Sequence, residues 1–127
     1  MKLGIIKARI KRNKFAELAG KYYRDENSGI VKYLNSTNKN VFAGIEREDG
    51  VYTIIGEEYV FYVTPSGVAG KISLAYFLNI LGKNALAKGK RAQFDFVNVN
   101  EADAVWLLNE ETMCAMWNTI LMLCPDY

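Results

Sequence analysis

Between Glu111 and Asp126 the chain carries no charged residue. Met113, Cys114, Ala115, Met116, Trp117, Ile120, Leu121, Met122, Leu123 and Cys124 fill most of that interval. Asn109 before it is a good helix cap, Glu110 and Glu111 suit the positive end of a helix dipole, and Pro125 is a stop. The segment therefore predicts a helix over 110–124, and its apolar residues cover every side of that helix. A helix that is apolar all round must be buried all round. One layer of sheet covers only one side. Either the fold encloses the helix completely or a second subunit completes the burial. The second reading is the stronger expectation, with Met113, Met116, Trp117 and Ile120 as the contacts of a homo-oligomer.

The middle third predicts what packs against it. Residues 41–47 and 51–56 read as strands flanking Glu48-Asp49-Gly50, where Asp-Gly is a hairpin signal because glycine tolerates positive φ. Residues 59–64 add a third strand of an antiparallel meander, with Tyr59, Phe61 and Val63 on one face and Val60, Tyr62 and Thr64 on the other. Leu3–Ile10 and Ile30–Leu34 also read as strands, as do 93–99 and 104–108. A short basic helix is expected over 13–24, with Asn13 as its cap. Another runs from Leu74, capped by Ser73, with Leu74, Phe77, Leu78, Leu81 and Ala85 as its apolar stripe. The fold class is therefore α+β. It comprises an antiparallel sheet of about five to seven strands, two or three helices packed on one face, and the C-terminal apolar helix. At 127 residues, without a repeat or a Pro/Gly/Ser linker, residues 1–127 read as a single domain.

Half of the residues are hydrophobic, yet no run approaches the length of a membrane span. Nor does the N-terminus, with Lys2 and Lys7 around its apolar residues, form a secretory leader. Cys114 and Cys124 lie about 15 Å apart along one helix, out of disulfide reach. Unpaired, buried thiols on a chain without an export signal suit the cytoplasm, and no membrane partner is expected. The abundance of Asn, Lys, Ile and Tyr is that of A/T-rich genomes and suits a phage or mobile-element accessory protein.

Charge is segregated along the chain. The net +2 comprises +7 over residues 1–39, −4 over 40–70, +5 over 71–91 and −6 over 92–127. Two basic clusters result: Lys7, Arg9, Lys11, Arg12 and Lys14, then Lys83, Lys88, Lys90 and Arg91. They form a face for an anionic partner, unless the fold folds opposite blocks onto each other.

The chain contains no histidine, which removes the usual general base, the commonest metal ligand and the orienting member of serine or cysteine triads. Two cysteines do not close a zinc site. Asp95, Glu101 and Asp103 are too loosely grouped to define a cation site, so no metal and no cofactor is expected. Ser36-Thr37-Asn38-Lys39 has the S-x-x-K spacing of serine acyltransferases without their further motifs. Asn35-Ser36-Thr37 is a sequon with no meaning outside the secretory route.

The most informative segment is Thr64-Pro65-Ser66-Gly67-Val68-Ala69-Gly70-Lys71-Ile72-Ser73. Read as a loop from a strand into a helix N-terminus, it offers Ser66, Gly67, Gly70, Lys71 and Ser73 as a cradle for a phosphate or carboxylate. Pro65 in place of the first glycine, and Ile72 after the lysine, separate it from a nucleotide-hydrolysing P-loop. Two functions are therefore expected. The first is a non-catalytic binding protein, such as an inhibitor or sequestering factor acting through a protein–protein interface. The second is a nucleotide- or nucleic-acid-binding module using the Gly-Lys loop and the basic clusters. A small enzyme is the weakest reading.

Overall fold

The structure, a computed structural model, describes residues 3–88, 95–100 and 103–124. In chain order it contains α1 (Leu3–Arg12), α2 (Phe15–Ala19), a 3-10 turn (Gly20–Tyr22), β1 (Tyr23–Arg24), α3 (Gly29–Ser36), β2 (Val41–Glu46), β3 (Tyr52–Gly56), β4 (Tyr59–Val63), β5 (Ala69–Ser73), α4 (Leu74–Lys88), β6 (Phe96–Asn98), β7 (Ala104–Trp106) and α5 (Glu110–Leu123). Strands β1 to β5 form one antiparallel sheet in sequence order, and β6 pairs with β7 as a separate hairpin. The α+β class with an antiparallel sheet is as expected; the helices are more numerous.

The β2–β3 hairpin follows from its turn. Gly50 takes φ 91°, its N–H donates to the Arg47 carbonyl at 3.1 Å, and Arg47 N–H reaches the Val51 carbonyl at 2.7 Å. Alternation along the strands then sorts the side chains onto two faces. Ala43, Ile45, Ile55, Val60, Tyr62 and Ile72 face the main core, where α4 contributes Phe77, Leu78 and Leu81 and α5 contributes Met113, Met116 and Ile120. The same core receives Ile6 and Ile10 of α1, and Phe15 and Ala19 of α2. On the opposite face, Val31 and Leu34 of α3 pack with Val41, Ile54 and Phe61. Helices therefore lie on both faces of the sheet. On that second face the α3 cluster reaches β4 through Phe61 and, partly buried, Tyr59, and it includes no residue of β5.

Three sequence-based expectations change here. Leu3–Ile10 is helical: Ile6 and Ile10, four residues apart, are buried as a pair while Ile5 is exposed. Ile30–Leu34 is likewise helical, with Val31 and Leu34 buried three apart and Tyr33 exposed. The basic helix over 13–24 is shortened to α2, which Gly20 ends at φ 59°. Asn13 does not cap it; its side chain reaches Thr119 Oγ1 at 3.4 Å instead. Short segments match both the strand and the helix period, so burial by the rest of the fold decides between them.

The β6–β7 hairpin is fastened to the sheet by two side chains. Thr53, fully buried, donates from Oγ1 to the Trp106 carbonyl at 2.5 Å. Thr53→Val keeps the shape but strands that carbonyl, so a loss of about 1–3 kcal/mol is expected in chemical denaturation. Tyr62 donates from its hydroxyl to Asp103 Oδ2 at 2.9 Å, and the Asn100 side-chain amide donates to the same oxygen at 3.0 Å. Burial, reinforced by that bond to Asp103, pushes the Tyr62 hydroxyl up to about 12 from an ordinary 10.0. Burial, then Asp25 and Glu26, does the same to Tyr23. In both cases the fold favours the neutral phenol. The stability this contributes is complete below pH 10 and is lost as pH rises through the folded value near 12. Melting temperature should therefore fall across that interval in step with tyrosinate absorbance.

The C-terminal helix is capped as the sequence implies, with Asn109 Oδ1 accepting from Thr112 N–H at 2.8 Å. Its burial differs from expectation. Met113, Met116 and Ile120 are 7%, 0% and 0% exposed within the single chain, so they are core residues and are not available to a subunit interface. Trp117 is half-buried, at the position where a Cβ on Gly82 would meet its ring at 3.5 Å. The outward stripe is Cys114, Asn118 and Leu121. Two unpaired cysteines are present, but Cys114 is exposed rather than buried. Helices α1, α2 and α4 pack on α5 and cover what a single sheet layer cannot. Among the described residues, no helix is long and apolar enough to cross a membrane.

Candidate binding site

Residues 64–73 are not one loop between a strand and a helix, because Ala69–Ser73 is itself strand β5. Thr64 to Gly67 form a tight turn, closed by Gly67 N–H to the Thr64 carbonyl at 2.9 Å with Gly67 at φ 87°. Chain direction then reverses into β5, antiparallel to β4. Ser66 and Gly67 consequently sit at one end of β5 and Ser73 at the other, about 15 Å away by strand rise. The expected cradle is thus taken apart. Ser66 Oγ bonds Thr64 Oγ1 at 2.9 Å, and Ser73 Oγ accepts from Tyr76 N–H at 3.3 Å to start α4. Gly70 has a packing reason: a Cβ there would lie 2.5 Å from the Tyr62 hydroxyl oxygen.

Lys71 is the residue of this set that enters a cleft. It lies opposite Phe61 in the β4–β5 register, on the α3 side of the sheet, and is itself exposed. That cleft, of about 560 Å³, is bounded by Thr37, Asn38, Lys39 and Asn40 on one side and by Ala69, Gly70 and Lys71 on the other. Tyr52, Tyr59 and Phe61 form its floor, and Glu57 and Glu58 stand at the β3–β4 turn. The Lys71 ammonium sits 4.4 Å from the centre of the Tyr59 ring, and Lys39 Nζ 5.9 Å from that of Phe61. Both are cation–π distances. The Tyr59 and Phe61 rings meet edge to face at 6.0 Å.

The wall carrying Lys39 is held by its own hydrogen bonds. Asn35 clamps Val41 from both sides, accepting from its N–H at 2.7 Å and donating to its carbonyl at 3.1 Å. Asn38 and Asn40 take φ 62° and 52°, the left-handed region that asparagine tolerates better than most residues. Lys39 is carried between them, and its ammonium donates to Thr37 Oγ1 at 2.8 Å. Neither Lys39 nor Lys71 has a carboxylate within ion-pair distance among the described residues. Two ammonium groups therefore flank an aromatic floor without being neutralised by contact.

A second cavity, of about 460 Å³, is bounded by Tyr22, Arg47, Glu48, Asp49, Trp106 and Leu108. Its charges are already matched. Arg47 stacks on Trp106 at 5.6 Å and pairs with Asp49 at 2.6 Å, and Lys21 pairs with Glu48 at 3.4 Å. Arg24 and Glu46 pair at 2.9 Å. The Lys21–Glu48 and Arg24–Glu46 pairs join the first basic block to the first acidic block, so part of the charge segregation is cancelled by folding.

The basic clusters do not join the cleft. Lys7, Arg9, Lys11, Arg12 and Lys14 belong to α1 and the residues after it, and α1 packs into the main core on the other side of the sheet. Lys7 pairs with Glu26. Lys83 is exposed on α4, Lys88 is in α4 with its side chain outside the described ones, and Lys90 and Arg91 lie outside the described residues. Of the carboxylates weighed for a metal, Asp103 is engaged by Tyr62 and Asn100, Asp95 is exposed and Glu101 lies outside the described residues. No cluster of metal-binding side chains occurs among the described residues.

Lys39 and Asn38 stand in the sequence only within an S-x-x-K spacing, and Asn40 only at the end of a polar loop, so none of the three is marked there as a site residue. Tyr59 and Phe61 read there only as sheet residues. The available signal was their shared face on β4, next to a lysine two positions into the following strand. The chain matches no protein-family model, no curated protein and no solved structure.

Proposed function

We propose that the protein is a non-catalytic binding module that holds a small anionic, ring-bearing ligand of the nucleotide class in the β4–β5 cleft. The observation that carries this reading is the pair of unneutralised ammonium groups of Lys71 and Lys39 beside the Tyr59 and Phe61 rings. A base stacks on or against the rings, and a phosphate lies between the lysines. The absence of histidine from the chain supports binding without catalysis. A volume of about 560 Å³ is within the range of small-molecule sites.

Charge decides between a nucleotide and a long nucleic acid. Glu57 and Glu58 balance the two lysines in number and close the β3–β4 end of the cleft to a polyanion. The basic residues of α1, which would extend a nucleic-acid track, are on the far side of the sheet. A compact phosphate placed against Lys71 and Lys39 avoids both obstacles.

Calorimetric titration with AMP, ADP, GMP and UMP tests the reading. At least one should bind, with affinity that weakens as salt rises. Lys71→Glu should weaken it by at least tenfold, since a charge-assisted contact contributes about 1.5–3 kcal/mol. Absence of binding at millimolar nucleotide, or binding unchanged by Lys71→Glu, would contradict it.

A further inference from the structure

Strand β5 is the last strand of the five-stranded sheet, and no backbone partner lies beyond it among the described residues. The phase of its ladder fixes which backbone groups are left over. Antiparallel pairs alternate between hydrogen-bonded and non-bonded. Thr64 N–H bonds the Val68 carbonyl at 2.9 Å and Leu74 N–H the Glu58 carbonyl at 3.2 Å, so Tyr62/Gly70 and Val60/Ile72 are the bonded pairs between them. Gly70 and Ile72 therefore point their backbone groups at β4. Ala69, Lys71 and Ser73 point theirs outward, and all three residues are exposed.

The register has no bulge, and the strand contains no proline to blunt it. By contrast β1, at the other edge, is two residues long.

We infer that the free edge of β5 captures an extended segment of a partner protein as a sixth strand, with an acidic residue of that segment opposite Lys71. The chemistry comes from the faces of β5. The residue opposite Lys71 in an added strand projects to the same face, where the Lys71 ammonium has no carboxylate partner among the described residues and Lys39 also lines the cleft. On the other face Gly70 and the buried Ile72 border the main core, so the partner's alternate positions are apolar. A second copy of this chain fits less well, because a two-fold antiparallel pair centred on Lys71 sets two ammonium groups opposite each other.

The probe is the acetylated, amidated peptide Val-Glu-Val-Glu-Val, with Val-Lys-Val-Lys-Val as its control, read by residue-resolved amide hydrogen exchange. In the free protein Gly70 and Ile72 exchange slowly, and Ala69, Lys71 and Ser73 quickly. The acidic peptide should slow Ala69 and Lys71 by roughly tenfold or more, and the basic peptide should not. Ala69→Pro removes an outward N–H without touching the ladder, so the fold should persist, with Gly70 and Ile72 still protected, while the peptide's protection disappears. No slowing at millimolar peptide, equal slowing by both peptides, or slow exchange of these amides in the dilute free protein would overturn the inference. Loss of nucleotide binding alone would count against the cleft and not against the edge.

Discussion

Gly44→Ala should destabilise the protein by about 3 kcal/mol or more, at the top of the range for overpacking in a well-packed interior. Gly44 lies in β2, opposite Ile54 of β3 and next to β1. A Cβ at this position would fall 2.1 Å from the Thr53 carbonyl oxygen and 2.7 Å from the Ile54 Cα. Both are backbone atoms of a central strand, so no rotamer change relieves the contact. Relief requires β2 and β3 to separate, which disturbs the bonds that set the register of the whole meander. For a chain of this size the change corresponds to a melting temperature lower by about 10 °C. Gly29→Ala is the control, since nothing lies within 4 Å of a Cβ there and the residue begins α3. It should be neutral or slightly stabilising. Thermal melts of the two variants side by side separate a packing requirement from the general flexibility of glycine.

The second large effect is on α5. Met116→Ala should cost about 2–5 kcal/mol, because Met116 is fully buried in the core that α4, α5 and the sheet share. Leu121→Asp, on the outward stripe at 38% exposed, should change stability by no more than about 0.5 kcal/mol. The contrast tests how the apolar helix is buried. If α5 were the centre of a subunit interface, Leu121→Asp would dissociate an assembly and Met116→Ala would act mainly through it. With the burial seen within one chain, denaturation midpoints of Met116→Ala should not depend on protein concentration.

How far the sequence disclosed this arrangement depends on how local each signal is. The β2–β3 hairpin is legible because Asp49-Gly50 specifies its turn and the flanking residues alternate. Helix α5 is legible from Asn109 and a long charge-free run. Helices α1 and α3 are not, because each buries only a pair of residues and lysines occupy positions compatible with either period. Strand β5 is the instructive case. Ala69 and Gly70 have low strand propensity, and the segment becomes a strand through its register with β4 and through the Tyr62 ring lying against Gly70. The same tertiary event changes the site. Lys71 was visible as a candidate, but its neighbours in sequence are not its neighbours in the cleft. Lys39 reaches that cleft only because Asn38 and Asn40 adopt left-handed backbone. Neither asparagine advertises that conformation in isolation.

The proposed function requires that Lys71, Lys39, Tyr59 and Phe61 together form one site for a nucleotide. A ¹H–¹⁵N and aromatic ¹H–¹³C NMR titration with AMP tests it most directly. Saturable shifts are expected at the Tyr59 and Phe61 ring signals and at the amides of residues 37–40 and 69–71, with α1 unmoved. Shifts confined to Lys7, Arg9, Lys11 and Arg12, or none at all at saturating concentrations for a millimolar site, would contradict it.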